Sequence, residues 1–376
     1  MLNEIFDRDY LESLDYETPF FLFSQKRILE ASGEFKRCFP GAQIHYAMKA
    51  NSEPGILKTL AGAGCGFEIA SIYEFEMLKK LKIPPENIIY GTSVKPASHI
   101  KEFYRYGGST FSVDSLPELE KISLAAPKSR VFVRLSVDDA DSVFRFSEKF
   151  GTERQNVIPF LTRAQELGLQ PYGISFHVGS QASNPKAWAN ALESISETID
   201  ELAKMDLKIE ALNIGGGYPC AYDSSENNLC LQEIAGNIYE QYRNFPYQPQ
   251  LILEPGRGLV ATSGIAVVSV IGRIERSTVT WLFLDAGVYN GFFETMAYQG
   301  STRYRITSLR SPCNVGEMPF AVAGPTGDSP DVITRQALLP YDLKVGDKLA
   351  VHDVGAYTLV CTSRFNGFPK PEVYLV

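Results

Sequence analysis

The sequence predicts an α/β barrel of the TIM type, (β/α)8, followed by a C-terminal all-β domain built as a β-barrel or sandwich. Between residues 44 and 254, eight short β-rich runs alternate with stretches of helical periodicity, and parallel strands joined by helices can close into such a barrel. After about residue 262, strand-like runs follow one another with little helix between them. The alternation also permits a doubly wound sheet, because it does not encode the order of the strands.

The predicted elements follow in order along the chain. Barrel strands are expected at 44–48, 66–70, 88–91, 111–113, 131–135, 172–178, 210–214 and 251–254, and helices at 53–63, 71–82, 115–125, 154–168 and 185–205. Later strands are expected at 265–275, 279–284, 318–323, 347–352 and 372–376. A chain of 376 residues is too long for one ordinary core, so residues 24–262 are assigned to the barrel and 263–376 to the β domain. The strand-like run FFLFS places residues 1–23 with the β domain.

Composition excludes several classes of function. The net charge is −8 and the chain has no basic stripe, so we expect neither nucleic acid nor a membrane surface as a partner. No apolar run reaches the ~18 residues that span a bilayer, and the acidic N-terminus lacks the apolar core of a signal peptide. The six cysteines are scattered and none has zinc-ligand spacing, which predicts a reduced, cytoplasmic protein without a metal site.

Polar residues and glycines stand at or just past the ends of nearly all the predicted barrel strands. In a (β/α)8 barrel those ends share one rim, and that rim carries the active site. The residues are Lys49, Glu68, Ser71, Gly91, Thr92, Asp114, Arg134, His177, Gly215, Gly216, Gly217, Glu254, Gly256 and Arg257. Packing alone does not call for so many polar groups at one end of a barrel, so we predict the functional site there.

Lys49 directly follows an apolar strand. Burial at a barrel mouth would lower the pKa of its amine and leave a nucleophile suited to a Schiff base, although a lysine lying over apolar surface is the alternative for this residue alone. The glycines at 215–217 let backbone N–H groups converge on an anion, or else form a tight turn. Together, a reactive lysine and an anion-binding loop suggest a phosphorylated carbonyl cofactor.

Glu254, Arg257, His177 and Ser180 suit the same kind of cofactor. A carboxylate opposite a pyridine nitrogen would keep that ring protonated, and an arginine would add positive charge near a phosphate. For Glu254 and Arg257 the alternative is a buried ion pair without a ligand. His177 can stack on a flat ring or move a proton, or it can be a hydrogen-bonded core residue, and Ser180 is a candidate donor to a phosphate oxygen.

Eight motifs stand in a fixed order along the chain: YAMKAN, FEIAS, SFHVGSQ, LNIGGGYP, LEPGR, GPTGDSPD, GAYT and FNGF. In this order they resemble the fold-type III pyridoxal 5'-phosphate (PLP) decarboxylases, the group of ornithine, lysine, arginine and diaminopimelate decarboxylases. The resemblance runs from about residue 18 to the C-terminus, and ETM…RY at 294–304 looks more like the bacterial ornithine/lysine branch. It implies an enzyme that releases CO2 from an amino acid through a quinonoid intermediate.

The resemblance also implies roles for single residues. Lys49 carries the cofactor as a Schiff base, His177 stacks on its ring and Glu254 pairs with its nitrogen. The other implied cofactor contacts are Glu68, Arg134, Ser180, Gly215, Gly216, Gly217, Gly256, Arg257 and Tyr357. Asp328 is implied as a catalytic and substrate-binding residue, with Glu294 and Tyr298 also at the substrate. The family forms head-to-tail homodimers in which GPTGD reaches the partner's site, and residues 138–151 match a mobile segment near the entrance.

Two departures from the family pattern concern the substrate end. Gly327 stands in place of the cysteine that gives a proton to the α-carbon, so either Lys49, His177 or water does so here, or reprotonation is slow and prone to side reactions. After ETM, Ala297 and Tyr298 stand where bacterial relatives have acidic residues for the distal ammonium, and a buried unpaired ammonium is costly. We therefore expect a basic amino acid in modified or conjugated form, from a specialised biosynthetic pathway, instead of free ornithine or lysine.

Two other functions stay open. A PLP-dependent racemase on the same barrel would need a second base, for which Tyr357 is a candidate, although the GPTGD context favours decarboxylation. A non-catalytic binding or regulatory relative is favoured by Gly327 and opposed by the retention of Lys49, His177 and Glu254.

Overall fold

The computed structural model describes residues 6–205, 207–222, 229–297, 304–310 and 315–376. Two compact units are present: the barrel unit, residues 31–219 and 228–259, and the β unit, residues 1–30, 220–227 and 260–376. The predicted division at 24–262 and 263–376 differs from these bounds mainly at short crossing segments, and it stays a prediction about separate domains.

The first 260 residues hold most of the helices. In chain order, the elements are α1 (Arg8–Ser13), β1 (Phe20–Phe23), α2 (Gln25–Cys38), β2 (Gln43–Ala47), α3 (Pro54–Gly62), β3 (Gly66–Ile69), α4 (Ile72–Lys80), β4 (Ile88–Tyr90), α5 (Ala97–Arg105), β5 (Thr110–Val113), α6 (Leu116–Ala125), β6 (Arg130–Arg134), β7 (Ser142–Phe144), α7 (Val157–Glu166), β8 (Gln170–Ser175), β9 (Ser180–Ala182), α8 (Ala187–Lys204), β10 (Ala211–Asn213), α9 (Leu231–Tyr242), β11 (Gln250–Leu253) and α10 (Arg257–Val260). The chain continues with β12 (Gly264–Glu275), β13 (Thr280–Leu284), α11 (Phe293–Ala297), β14 (Ile306–Ser308), β15 (Glu317–Ala323), β16 (Val332–Pro340), β17 (Lys348–His352) and β18 (Glu372–Leu375).

Eight strands of the barrel unit close into a barrel in the order β10-β11-β2-β3-β4-β5-β6-β8. All eight pairings are parallel. The predicted (β/α)8 class is therefore confirmed, and the doubly wound alternative is wrong. The sixth predicted strand, 172–178, is shifted, because β8 covers Gln170–Ser175 and leaves His177 in the loop that follows.

The strands form where short apolar runs can be buried on both faces, as parallel sheets require. Ile89, Phe132, Ala211 and Ile252, from β4, β6, β10 and β11, make one buried apolar cluster. This packed interior holds the strand ends in place, so the residues that follow each strand start from fixed positions on the rim.

Helix α4 shows how a rim loop is fixed by local sequence. Ser71 Oγ accepts a hydrogen bond from Glu74 N, and Glu74 Oε2 accepts one from Ala70 N at 2.5 Å. This reciprocal arrangement is a capping box, which satisfies the free N–H groups at a helix start. The loop between β3 and α4 is thereby held close to Glu68.

The β unit is built on one sheet with the order β14-β17-β12-β13-β15-β16. Strand β1 pairs antiparallel with β12 and parallel with β18, so FFLF completes the same sheet. An apolar cluster that includes Phe20, Leu22, Ile265 and Val267 packs behind these strands. The predicted all-β second region is confirmed, with β14 and the nine-residue β16 in addition to the predicted strands.

Two properties bear on the function classes discussed above. None of the helices in the described residues is long and apolar enough to cross a bilayer. Within the same residues, no group of three or more His, Cys, Asp or Glu side chains is placed to hold a metal ion.

Candidate active site

Lys49 and Glu68 form an ion pair at the barrel rim. Lys49 lies in a short 3-10 turn directly after β2, and its Nζ donates to Glu68 Oε2 at 2.6 Å. The Lys49 side chain is 39% exposed and that of Glu68 is 5% exposed. The lysine amine is therefore reachable from solvent, while its carboxylate partner is buried and keeps the amine in place.

Gly91 makes room for the Glu68 carboxyl group. A Cβ added at Gly91 would lie 2.4 Å from Glu68 Oε1 and 2.8 Å from its Cγ. Any side chain at position 91 would thus displace Glu68 and, through it, Lys49. The sequence marks Gly91 as a rim residue but does not show this contact.

His177 is held as a neutral imidazole. Its Nδ1 accepts a hydrogen bond from Gly179 N at 3.0 Å, which places the ring proton on Nε2. Burial lowers the pKa of His177 well below its ordinary value, and the nearby charges of Arg134 and Lys49 lower it further. An uncharged flat ring with one fixed edge is suited to stacking on another ring.

Arg134 and Glu254 place opposite charges at the same rim. Burial lowers the pKa of Arg134, while Glu254, Glu68 and Asp114 raise it. Burial raises the pKa of Glu254 to about 7, with a further rise caused by Glu68, and Lys49, Asn213 and Arg134 oppose that rise. Glu254 is therefore poised to share a proton with a basic ring nitrogen near neutral pH.

Asn213 connects Glu254 to the glycine run. Its Nδ2 donates to Glu254 Oε1 at 2.6 Å, and its Oδ1 accepts from Gly215 N at 3.0 Å. Asn213 is almost completely buried, so both bonds are shielded from water. Sequence reasoning missed this residue, although it stands two positions before the three glycines, where a strand-end amide can brace a loop.

The run Gly215 to Gly217 turns its carbonyl groups inward. Glu254 N donates to Gly215 O at 2.8 Å, Trp188 Nε1 to Gly216 O at 3.2 Å and Ala182 N to Gly217 O at 3.1 Å. Gly216 N and Gly217 N make no hydrogen bond within the described residues. Gly215 and Gly217 have φ of 68° and 103°, in the region that favours glycine. Such a loop presents N–H groups, and not carbonyl oxygens, to an anion.

These groups fit PLP in kind and number. An accessible amine can hold its carbonyl carbon, a carboxyl group with a raised pKa can pair with its ring nitrogen, and a neutral imidazole can stack on its ring. A glycine loop with turned-in carbonyls can bind its phosphate, with Arg257, a buried residue directly after Gly256, as a further cation. Added Cβ atoms at Gly215 and Gly216 would lie 2.3 and 2.6 Å from carbonyl oxygens, so the loop cannot carry side chains.

A family model described as "Pyridoxal-dependent decarboxylase, pyridoxal binding domain" matches residues 25–261. The chain belongs to the pyridoxal-dependent decarboxylase family. It is 36% identical over 352 residues, or 93% of this chain and 88% of the relative, to a lysine/ornithine decarboxylase of Selenomonas ruminantium.

Solved structures support the same assignment. The chain matches SrLDC in complex with PLP and cadaverine with a TM-score of 0.90 and 33% identity, over 98% of this chain and 94% of that one. It matches the Paramecium bursaria Chlorella virus arginine decarboxylase bound to agmatine with a TM-score of 0.89 and 29% identity, over 98% of each chain. The predicted family, cofactor and type of enzyme are thus confirmed: this is a PLP-dependent decarboxylase.

The remaining residues predicted for the decarboxylase site lie in both units. Ser180 belongs to β9 of the barrel unit. In the β unit, Glu294 is buried in α11, and Tyr357 has a φ of 55°, a backbone conformation that is uncommon outside glycine. Tyr298 lies outside the described residues. The roles assigned to these residues stay predictions.

Asp328 lies on an exposed loop that the buried Asp331 holds in shape. Asp331 accepts hydrogen bonds from Val288 N at 2.7 Å, Thr326 N at 3.0 Å and Thr326 Oγ1 at 2.6 Å. Tyr289 Oη donates to Asp328 Oδ2. The GPTGDSPD segment is therefore an ordered loop that presents one carboxylate to solvent, oriented by a tyrosine hydroxyl.

Gly327 is not required by the backbone. Its φ lies outside the left-handed region, and an added Cβ would meet no described atom within 4 Å. The loop would accept the cysteine of the family pattern without a clash in the β unit. The absence of a side chain at this position is therefore a difference in chemistry and not a consequence of packing.

Proposed function

We propose that this decarboxylase acts on a basic amino acid related to ornithine and lysine, in a modified or conjugated form. The observation that carries the proposal is the loop around Asp328, which keeps one exposed carboxylate for a distal amine and has open space at Gly327. The relatives support the class of substrate, since one is named a lysine/ornithine decarboxylase and the solved structures contain cadaverine and agmatine.

Ala297 and Tyr298 support the modified form. They stand where the bacterial pattern has acidic residues, so this chain offers fewer carboxylates to a free ammonium. A substrate whose distal amine is acylated or otherwise extended would need less negative charge and more room. Both conditions agree with the sequence at 297–298 and with the unobstructed Gly327.

When bound, PLP supplies an electron sink for the pair of electrons left as CO2 departs. In our proposal the Lys49 amine would hold the cofactor, and Glu68, whose Oε2 lies 2.6 Å from Lys49 Nζ, would orient that amine. Glu254 would keep the ring nitrogen protonated, and Arg257 with the N–H groups of Gly216 and Gly217 would hold the phosphate. His177 presents its neutral ring to one face.

In this proposal the Lys49 amine would supply the proton that replaces CO2. Gly327 has no side chain to donate it. Burial holds the pKa of His177 well below its ordinary value, so its ring is the neutral imidazole and not the acidic imidazolium. Lys49 is held by a carboxylate and stands at the rim where the cofactor reacts. A proton returned to the cofactor in place of the α-carbon would leave the amino group on the cofactor and release an aldehyde side product after hydrolysis.

We also propose a homodimer in which GPTGD of one subunit completes the partner's site. Mixing inactive Lys49→Ala and inactive Asp328→Ala subunits tests it, because a shared site would be restored when each mutant supplies what the other lacks. About one quarter of the wild-type activity is expected for random exchange between subunits in equal amounts. No recovery, under conditions where subunits are shown to exchange, would contradict the shared site.

The substrate is tested by measuring CO2 release from free ornithine, lysine and arginine and from their Nω-acylated and peptide-conjugated forms. We expect kcat/KM to be at least tenfold higher for a modified form, about 1.4 kcal/mol of preference. Comparable turnover of free ornithine and lysine would refute the modified substrate and leave the decarboxylase assignment intact. Loss of optical rotation without CO2 would indicate a racemase, and absence of both would favour a non-catalytic relative.

A further inference from the structure

Residues 137–151, here called the strap, form a closed loop on the barrel rim. The strap leaves the end of β6 and returns toward α7, and its two ends are joined by backbone hydrogen bonds. Thr152 N donates to Arg134 O at 2.9 Å, and Ser136 N donates to Thr152 O at 2.9 Å. A loop whose ends meet in this way is a compact unit whose interior contacts decide its shape.

Asp139 organises the interior of the strap. Its side chain accepts hydrogen bonds from Phe146 N, from Ser147 N at 2.9 Å and from Ser147 Oγ at 2.6 Å. Asp139 is 5% exposed. Burial raises its pKa, but the hydrogen bonds from Ser147 and Phe146 outweigh burial and leave the pKa below its ordinary value. The ionised carboxylate thus holds the two arms of the strap together.

The strap is docked beside His177. Strand β7 pairs antiparallel with β9, and Ser142 Oγ donates to Val178 O at 2.5 Å. A Cβ added at Gly179 would lie 2.4 Å from Ser142 Cβ, so the two segments are in close contact. The chain that carries His177 is therefore packed against the strap.

Two aromatic residues of the strap contact two residues of the site. The rings of Phe146 and His177 form a T-shaped contact, with centroids 5.0 Å apart and an interplanar angle of 84°. The Arg134 guanidinium lies 5.0 Å from the centre of the Phe150 ring. The bond from Gly179 N restrains one edge of the imidazole, and Phe146 blocks rotation of the ring toward the strap.

We propose that Asp139 and Phe146 are positioning residues of the decarboxylase: Asp139 holds the turn that presents Phe146, and Phe146 fixes the plane of the His177 imidazole. This inference rests on the proposed stacking role of His177. It adds a group that acts on the cofactor through another side chain, and it explains why a buried carboxylate that accepts three hydrogen bonds stands in a rim loop.

The test uses PLP-loaded full-length protein and the variants Asp139→Ala, Asp139→Asn and Phe146→Ala. Asp138→Ala is the matched control, because Asp138 is exposed and its carboxylate accepts from Ala140 N at 3.0 Å within its own turn. The readouts are circular dichroism in the cofactor's absorption band, the dissociation constant for PLP, and the rate of tryptic cleavage after Arg145 and Lys149.

We expect Asp139→Ala to raise the PLP dissociation constant about tenfold, as removal of groups that orient a binding side chain commonly does. Its cofactor dichroism should fall and its strap should be cleaved faster, with partial recovery in Asp139→Asn. Phe146→Ala should change the cofactor dichroism while cleavage stays close to wild type, because its Asp139 contacts remain. Asp138→Ala should match wild type in all three readouts.

Wild-type dichroism and PLP affinity in Phe146→Ala would overturn the proposal, whether or not Asp139→Ala folds. Faster cleavage of Asp139→Ala with unchanged cofactor binding would also overturn it, since Asp139 would then stabilise the loop alone. These readouts need bound PLP and no substrate, so they are independent of whether the proposed substrate is turned over.

Discussion

The barrel rim and the GPTGDSPD loop of the β unit differ in how much change their packing allows. At the rim, Cβ atoms added at Gly91, Gly215, Gly216 and Gly217 would lie 2.3–2.6 Å from neighbouring atoms. At Gly327 an added Cβ would meet no described atom within 4 Å. Close packing at the rim thus excludes side chains at these four glycines, whereas Gly327 of the loop can be replaced without a steric clash.

The same two regions differ in electrostatics. Lys49, Glu68, Arg134 and Glu254 each influence the pKa of another charged group at the rim. Asp328 instead is exposed in its loop and accepts a hydrogen bond from the Tyr289 hydroxyl. A substitution at the rim should therefore disturb several groups together, and one in the loop should act locally. This contrast suggests how one cofactor site can serve different substrates.

The largest effect is expected for Lys49→Ala. The substitution removes the amine that carries the cofactor and returns the proton, so kcat should fall on the order of 10⁴-fold or more. The visible absorption band of the bound cofactor should also shift or disappear in a spectrum of the purified protein. Lys101→Ala, at an exposed position of α5, is the control and should behave as wild type. If Lys49→Ala kept the absorption band of a Schiff base, the cofactor would be attached to a different lysine.

Gly91→Ala tests the steric half of the comparison. The added methyl group would meet Glu68 Oε1, and displacement of the Lys49–Glu68 pair by about 1 Å should lower kcat/KM about 10²-fold. Gly236→Ala is the matched control, because Gly236 lies in α9 with nothing near its added Cβ and should gain about 1 kcal/mol of stability. Equal activity of the two variants in a steady-state assay would show that Glu68 can move without harm.

Glu254→Gln tests the electrostatic half. The pKa of Glu254 is raised to about 7 in the folded protein, so the folded state binds more protons than the unfolded state between about pH 4.5 and 7. The contribution of this group to stability is present below that window and is lost as pH rises through it. Gln does not titrate, so cofactor-free Glu254→Gln should gain about 3 kcal/mol relative to wild type across the window.

The measurement for Glu254 is chemical unfolding of both proteins from pH 4.5 to 7.5. Comparing the pair removes the other titrating groups, including His45, whose pKa burial lowers to about 4 and whose effect on stability has the opposite sign. Parallel stability curves for wild type and Glu254→Gln would mean that burial does not raise the pKa of this carboxyl group.

The strands and the rim residues were predictable because each leaves a local signal. Short apolar runs bounded by polar residues or glycine predict buried strands. Seven of the eight predicted barrel strands begin and end within one residue of the observed strands. Lys49, His177 and Glu254 stand at or just past the ends of such runs, and the barrel geometry then places them on one rim. Helices α2, α5 and α9 were not named among the predicted helices, although α5 buries Ile100 and Phe103 on one face.

Contacts between distant segments were not predictable. Asn213 bridges Glu254 across 41 positions, and Ser142 bonds Val178 across 36, so neither pairing leaves a periodic signal. The Glu68 side chain packs against Gly91, and this contact depends on the register of neighbouring strands β3 and β4. Sequence alone does not give that register. The spacing of Ser71 and Glu74 is local to the start of α4, but the place of their hydrogen bonds beside Glu68 depends on the fold.

The smallest effect on the fold is expected for substitution of Gly327. Its φ is ordinary and its surroundings are open, so Gly327→Ala and Gly327→Cys should change the free energy of unfolding by no more than about 0.5 kcal/mol.

The products of the reaction should distinguish the two Gly327 variants. If the thiol reaches the α-carbon, Gly327→Cys should lower the fraction of side product per CO2 released, while Gly327→Ala should not. The measurement is product analysis by mass spectrometry in deuterated water. An equal fraction in both variants would mean that Lys49 already returns the proton efficiently, and the open position would then matter for the size of the substrate and not for the proton.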